Sequence, residues 1–418
     1  MITRRRFLTE SSAGVAMAVA AGCRVVPGGD CAPGPRCSWV RGHFQIHQIY
    51  TGKCESYFMI FPDGTTMLLD CGESNPHKME VEKWGDRSLP IMPDELRGSG
   101  EWIARYVERV NPNGADVDYM MLSHFHADHV LGFPKASETL HFRHAIDRGW
   151  PDYNDPLPYP NSPKWMSGAL TATRKLYAEL AERDGLTVEK FRVGARNQIR
   201  LLRDPDAYPD FSTFNLCGNG KVALKDGSVV DCYAEEHLRH RTCVYNENAM
   251  SIGGFFTYGK FRYYSAGDFT ASDGREGSYR GKRQNIEKIL ALGCEPVTVA
   301  KANHHAAWST PIELVEALRP RAWLASVWWQ LQCDEGTMSR LASRTAYPNE
   351  RLLLPGVMCA ERRKEDSGRS YLASVPEAVH SPSHIVIDVP PGGATFTIAC
   401  YDPAGESCRL KKTWNLRA

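Results

Sequence analysis

A chain of 418 residues is long enough for one large domain or two ordinary ones, and 42% hydrophobic with 24% charged residues is the balance of a soluble globular protein. The net charge of +1 supplies no global field that would draw the protein to nucleic acid or to an acidic membrane. Thirteen cysteines are too sparse for a small disulfide scaffold, yet many for a cytosolic enzyme.

Residues 1–23 read as a targeting segment. Thr3-Arg4-Arg5-Arg6-Phe7-Leu8-Thr9 matches the twin-arginine export pattern. The weakly apolar run Ala13 to Gly22 that follows is too short to span a bilayer, which takes about 20 residues. Ala20-Ala21-Gly22-Cys23 also resembles a lipoprotein processing site, and lipid on Cys23 would be the one tie to a membrane. The expected location is therefore periplasmic or extracellular. Residues 24–41, rich in Gly, Pro and Cys, read as a linker in which Cys31 and Cys37 either close a small loop or stay unpaired. The folded domain is expected over residues 42–418.

Alternation over His43 to Tyr50 and Glu55 to Phe61 predicts strands, Pro62-Asp63-Gly64 a turn, and Thr65 to Leu69 a returning strand that ends in Asp70-Cys71-Gly72. His43 and His47 read as plain strand residues. Ser99 to Val110 predicts a helix capped by Ser99, with Trp102, Ile103, Tyr106, Val107 and Val110 on one face. The strand Val117 to Ser123 then delivers His124-Phe125-His126-Ala127-Asp128-His129. Three of the chain's 14 histidines and one carboxylate stand within these six residues. Neutral imidazole and carboxylate are the ligands divalent transition metals prefer. His124 and His126 can serve one ion, Asp128 and His129 a neighbouring one.

His124-Phe125-His126-Ala127-Asp128-His129 resembles the HxHxDH signature of the metallo-β-lactamase superfamily. The resemblance implies an α/β fold, an αββα sandwich of two mixed sheets flanked by helices, with one or two metal ions at its open edge. Two zinc ions are expected, with Mn2+ or Fe2+ as alternatives. It also implies that Asp70 braces the metal loop from behind, fixing imidazole tautomer and orientation. Gly52-Lys53-Cys54-Glu55-Ser56 resembles the Gly-x-Gly-Asp-Ser turn in the hydrolase domain of bacterial DNA-uptake channel proteins, with Cys54 in place of the second Gly.

Residues 133–219 carry no ligand signature and read as an insertion: an irregular loop over Trp150 to Trp165, then helices over about Ser167 to Arg183 and Thr187 to Leu202. Trp150, Tyr153, Tyr159 and Trp165 either line a substrate pocket or pack the insertion onto the core. His141 and His144 read as ordinary residues of a helix.

Val222 to Glu235 predicts a hairpin turning at Asp226-Gly227. In the superfamily a third imidazole for the first metal follows, and His237 and His240 are the candidates, His237 nearer the strand end. Asn246 to Ser251 resembles the Asn-x-Asn-x-x-Ser entry to a strand, here Ile252 to Tyr258. The next strand, Phe261 to Ala266, ends in Gly267-Asp268, the superfamily's place for a carboxylate that bridges two metals. The strand Glu295 to Ala302 ends in Asn303-His304-His305 and resembles a strand-then-His-His-Gly-Ser element, with Ala306 and Ala307 replacing Gly and Ser. His304 is then the last ligand of the second metal and His305 a proton donor or phosphate contact, with the reverse order left open. Further on, Thr310 to Leu318 and Gly336 to Arg344 read as helices, and Ala322 to Val327, His384 to Val389 and Ala394 to Tyr401 as strands. Trp328-Trp329 either stacks a substrate or packs in the core, and Cys400 and Cys408 flank a turn across which they could pair.

The expected function is that of an exported metal-dependent hydrolase. It would act on a phosphodiester or related phosphate ester, small or polymeric, through a metal-bound hydroxide. The expected metal ligands are His124, His126, Asp128, His129, His237, Asp268 and His304; Asp128 and His305 are the catalytic candidates. A lactonase or other carboxyl-ester or amide hydrolase, and a non-catalytic metal-binding protein, are the alternatives. Arg239-His240-Arg241 is too short to be a nucleic-acid-binding stripe.

Overall fold

The computed structural model describes residues 39–74, 89–155, 164–233, 247–270, 286–329, 332–343, 345–346, 352–354 and 382–418. Strands β1 (Phe44–Gln48), β2 (Tyr57–Ile60), β3 (Thr66–Leu69), β4 (Asp116–Met121), β5 (His141–Asp147) and β6 (Thr187–Lys190) lie side by side in one sheet. Strands β7 (Phe211–Gly218), β8 (Lys221–Ala223), β9 (Val229–Asp231), β10 (Gly253–Tyr258), β11 (Phe261–Ala266), β12 (Val299–Lys301), β13 (Ala322–Leu324) and β14 (Leu352–Leu354) build a second sheet, in the order 14-13-12-11-10-7-8-9. Strands β15 (His384–Val389), β16 (Thr395–Tyr401) and β17 (Leu410–Arg417) then extend the first sheet outward from β1.

Helices α1 (Ser99–Val110), α2 (Ala127–Val130), α3 (Phe133–Ala136) and α4 (Lys164–Asp184) interleave with the first sheet. Helices α5 (Ile286–Gly293), α6 (Ile312–Leu318) and α7 (Glu335–Leu341) interleave with the second. Alternation along the strands divides the core. Met67, Leu69, Tyr119 and Met121 face the second sheet's Phe256, Tyr263, Val299 and Leu324. The intervening Leu68 and Met120 face α1 and α4 instead, against Ile103, Val107 and Leu180. Phe255, Ala300 and Trp323 pack on Leu290, Leu314 and Met338 of α5 to α7. The result is two mixed sheets flanked by helices.

The pairings β3–β4–β5–β6 and β11–β12–β13–β14 are parallel. Parallel neighbours finish at the same edge, where layered α/β folds gather functional groups. The ends of β4, β11 and β12 therefore present the metal motif, Asp268 and the His304-His305 turn to that edge together.

Several boundaries differ from expectation. Gly98, not Ser99, caps α1, its amide donating to Glu101 Oε2 at 3.1 Å. Only one helix follows the irregular loop. Gly185 at φ +74 ends it, and Thr187–Lys190, expected as helix, pairs with β5 as a parallel edge strand. His141 and His144 lie on β5 rather than on a helix, and residues 133–219 supply strands to both sheets. Cys400 and Cys408 are unpaired, and Arg109 Nη1 donates to Cys408 Sγ at 3.5 Å. Tyr153 is buried with its hydroxyl on Asp147 Oδ2, and Trp150 stacks edge-on to Tyr177, so both pack inward. Tyr159, the Trp165 side chain, His237 and His240 fall outside the described residues, as do Cys23, Cys31 and Cys37. Among the described residues no helix is long and apolar enough to cross a membrane.

Phe61 is fully buried between the sheets, its ring 4.7 Å from that of Phe211 on β7 and 6.0 Å from that of Phe44 on β1. Phe61→Ala is expected to cost about 3–5 kcal/mol of stability, read as a lowered urea midpoint at unchanged slope.

Candidate metal centre

After β4 the chain runs through Leu122 to His126, whose extended backbone caps α2. Backbone bonds from distant segments hold this loop: Glu55 N to Asp128 O at 2.9 Å, Cys71 N to His129 O at 2.8 Å and Glu73 N to Ala127 O at 3.0 Å. The approach needs glycine at 72, where a Cβ would lie 1.7 Å from Asp128 O. A buried ion pair secures the other side. Arg148 Nε and Nη2 donate to Glu247 Oε1 and Oε2 at 2.7 and 2.8 Å, and Phe125 N donates to Glu247 Oε1 at 2.9 Å. Neither that pair nor Ser123 carried a sequence signal strong enough to name it.

Asp70 has φ +58, a left-handed conformation that Asp tolerates better than most residues. Its Oδ1 accepts Ser123 N at 2.6 Å, and its Oδ2 accepts Ser123 Oγ at 2.6 Å and faces His129 Nδ1 at 2.8 Å. With Nδ1 committed to Asp70, the Nε2 atom of His129 points away from it, 3.0 Å from Asp268 Oδ2 and 3.8 Å from Asp128 Oδ2. Asp268 is set by its amide on Ser251 Oγ at 2.8 Å.

The His304-His305 turn is left-handed at three successive non-glycine residues, with φ 46, 55 and 55 for His304, His305 and Ala306. Each such residue costs roughly 1–2 kcal/mol, and the surroundings over-determine the turn. Glu287 accepts Asn303 Nδ2 at 2.7 Å and Thr310 N at 3.0 Å, and Ser309 Oγ donates to Asn303 O at 2.5 Å. The two imidazoles diverge as a result. His305 gives Nδ1–H to Ser326 O at 2.7 Å and sets Nε2 at 2.9 Å from Asp128 Oδ2 and 3.0 Å from Asp268 Oδ2. His304 turns its Nδ1 to Ala307 O at 2.6 Å and is only partly buried. The order left open between them therefore places His305, not His304, with the carboxylates.

Four residues bring one ligand-type atom each to within 4.8 Å of all the others: Glu55, His129, Asp268 and His305. Glu55 was missed, although it stands at the Asp position of the turn quoted for residues 52–56. A second pair lies beside them, with His124 Nε2 3.0 Å from His126 Nδ1. Trp328 and Trp329 are both buried rather than open to a ligand.

The donor set fits a divalent cation. Ligand atoms about 2.0–2.1 Å from a tetrahedral ion stand about 3.3 Å apart, a spacing bracketed by the 2.9–3.0 Å of His305 Nε2 from the Asp128 and Asp268 oxygens and of His129 Nε2 from Asp268, and by the 3.8 Å of His129 Nε2 from Asp128. Asp268 Oδ1 and Glu55 Oε2 are buried with no hydrogen-bond donor. The charges point the same way. Among the described residues Glu55, Asp70, Asp128 and Asp268 stand against one ammonium, Lys301, whose Nζ lies 2.8 Å from Glu55 Oε1 and 3.7 Å from Asp268 Oδ1. Burial alone would lower the pKa of His129 and His305, but Asp268 and Asp128 outweigh it and raise both, His305 to about 10. The same excess of negative charge that favours a proton on these imidazoles would favour a cation among them. Burial lowers His124 and His126, leaving them neutral and able to ligate.

Burial pushes the Glu287 carboxyl up to about 8, against the donors Asn303 and Thr310. A folded-state value above the ordinary 4.5 means that its stabilisation is whole below about pH 4.5 and lost as pH rises through about 8. Melting of the metal-free protein should therefore fall between pH 5 and 9, and Glu287→Gln, which keeps an acceptor, should flatten that fall.

A family profile described as the metallo-beta-lactamase superfamily matches residues 50–167. No curated protein matches the chain. Among solved structures, a mutant of the CmlA beta-hydroxylase matches at 10% identity and a TM-score of 0.38, over 83% of this chain and 54% of that one, so the chain spans little more than half its length. A metallo-beta-lactamase from Cronobacter sakazakii (Enterobacter sakazakii), mutated in its HARLDQ motif, matches at 16% identity and a TM-score of 0.19, over 44% of this chain and 57% of that one. Residues 50–167, from just before β2 to the start of α4, thus match the metallo-beta-lactamase superfamily, and the chain's fold is α/β, two mixed sheets flanked by helices.

Proposed function

We propose that the chain is a metal-dependent hydrolase acting on a phosphodiester or related phosphate ester. The observation that carries the hydrolase reading is the convergence of Glu55, His129, Asp268 and His305 beside the His124–His126 pair. His129, Asp128, Asp268 and His305 would hold one ion, with Glu55 in reach of it. His124 and His126 would hold a second, with His237 or His240 as the third imidazole. Bound divalent ions supply Lewis acidity and bring the pKa of water toward about 7.

The chain's own groups have separable tasks. Asp70 holds His129 in the tautomer that frees Nε2. Lys301 is locked by Ala266 O at 2.8 Å, Gly267 O at 3.0 Å and Glu55, so it offsets buried carboxylates instead of reaching a substrate. With both nitrogens of His305 engaged, the partly exposed imidazole of His304, its ring 5.8 Å from that of His305, is the one free to meet a phosphate oxygen. The phosphate ester preference rests on the likeness of Gly52 to Ser56, Asn246 to Ser251 and Asn303 to His305 to DNA-uptake hydrolases.

Turnover of bis-p-nitrophenyl phosphate should be removed by a chelator and restored by Zn2+ or Mn2+. Asp128→Ala and Asp268→Ala should each lower it about 100-fold or more with the circular dichroism unchanged. Unchanged rates would sink the hydrolase reading, and turnover of lactones or lactams alone would transfer it to a carboxyl ester or amide. Thr3 to Thr9 supports export by the twin-arginine route. Arg4→Lys with Arg5→Lys should then retain the protein in the cytoplasmic fraction, and undisturbed export would count against that route.

A further inference from the structure

Asp128 Oδ2 has a neighbour that the metal reading does not require. The indole Nε1 of Trp328 donates to it at 2.8 Å and lies 3.4 Å from His305 Nε2. Trp328 is 8% exposed, and its ring stands edge-on to that of His305, centroids 6.1 Å apart at 86°. This geometry directs the N–H edge, and not an apolar face, into the cluster. An indole nitrogen can only donate, so it has no use for a metal, while a carboxylate oxygen can accept the N–H and still bind a cation.

Trp328 is itself held in place. Its backbone N–H and that of Trp329 both donate to Gln332 Oε1, at 2.8 and 3.1 Å, and its carbonyl accepts Leu89 N at 3.3 Å. The segment after β13 thus presents a rigid donor to a carboxylate on the far side of the site, 200 residues earlier in the chain.

We propose that Trp328 is a positioning residue for Asp128: its indole N–H fixes the carboxylate torsion so that Oδ2 stays aimed at the point shared with His129, His305 and Asp268. This rests on reading the cluster as a metal centre. Donors that orient metal ligands typically contribute about 10- to 100-fold to metal affinity or activity, and the same size of effect is expected here.

The experiment titrates chelator-stripped full-length protein with Zn2+, and separately with Mn2+, by calorimetry. Wild type that binds neither ion would overturn the metal centre itself. Given wild-type binding, Trp328→Phe, which keeps an apolar ring and loses the donor, should weaken it about 10- to 100-fold. It should also lower kcat on bis-p-nitrophenyl phosphate more than it changes KM. Adding Trp328→Phe to Asp128→Ala should produce no further weakening, because Ala leaves no acceptor for the indole N–H. Equal affinity for Trp328→Phe and wild type, or a loss that adds in full to that of Asp128→Ala, would overturn the role while leaving the centre intact. Should Trp328→Phe fail to fold, wild type and Asp128→Ala labelled with 15N at the indoles decide. An exchange-protected indole N–H resonance that moves between the two, and moves again when Zn2+ is added to wild type, supports the proposal; the lack of one overturns it.

Discussion

Among the described residues, the carboxylates of Glu55, Asp128 and Asp268 and two imidazoles are buried around one point, with Asp70 behind His129 and a single ammonium to balance them. Each carboxylate taken out of water loses several kcal/mol of hydration unless a partner replaces it. Lys301 meets part of the demand from Glu55 and Asp268, and Asp70 is met by Ser123 and His129. What is left over, on Asp128 beyond its bond from Trp328, on Asp268 and on the far oxygen of Glu55, falls to His129 and His305. Either those rings carry protons they would not carry in water, or a cation stands among them. The rest of the molecule can be understood as the framework needed to hold such an arrangement together.

That framework stores strain where it serves the site. Asp70 and the run His304 to Ala306 are all left-handed without being glycine. Around the latter, Glu287, Ser309, Asp334 and Thr337 form a hydrogen-bonded collar that would have little reason to exist around a relaxed turn. Glycine appears where a Cβ has no room: at 72 against the Asp128 backbone, and at 267 against the Ser251 side chain, whose Oγ a Cβ would meet at 2.5 Å. Rigid strand ends, short turns and buried acceptors thus turn local discomfort into fixed ligand directions.

The two imidazole groups differ in kind. His124 and His126 are neutral and face each other, with few compensating charges. His129 and His305 are gripped by carboxylates, and each has one nitrogen fixed by Asp70 or by a backbone carbonyl. A cation between the first pair must rely on a further donor from the chain, whereas the second set already carries excess negative charge. Were cations to occupy both positions, the asymmetry would give them unequal affinity.

Sequence by itself determined the strand tips that carry the candidate ligands. Alternation and turn chemistry act over a few residues, so the strands entering His124 to His129, Asp268 and His304-His305 could be read from their own composition, as could Asp70 at a strand end. What only tertiary structure decided were choices made across the chain. Glu55 joins the cluster because Asp128 O fixes its amide. His305 is selected over His304 because the collar around Asn303 to Thr310 forces a left-handed path. Residues 187–190 become a strand because β5 offers an open edge, although their periodicity alone suits a helix. Trp328, which looks like any core tryptophan in the sequence, acquires a polar task only when β13 sets it against Asp128. For Glu55, residues 187–190 and Trp328 the deciding partner lies more than 40 residues away along the chain, and for the His305 turn the collar partners Glu287 and Asp334 lie 16 and 26 residues from the groups they hold; no local pattern encodes either.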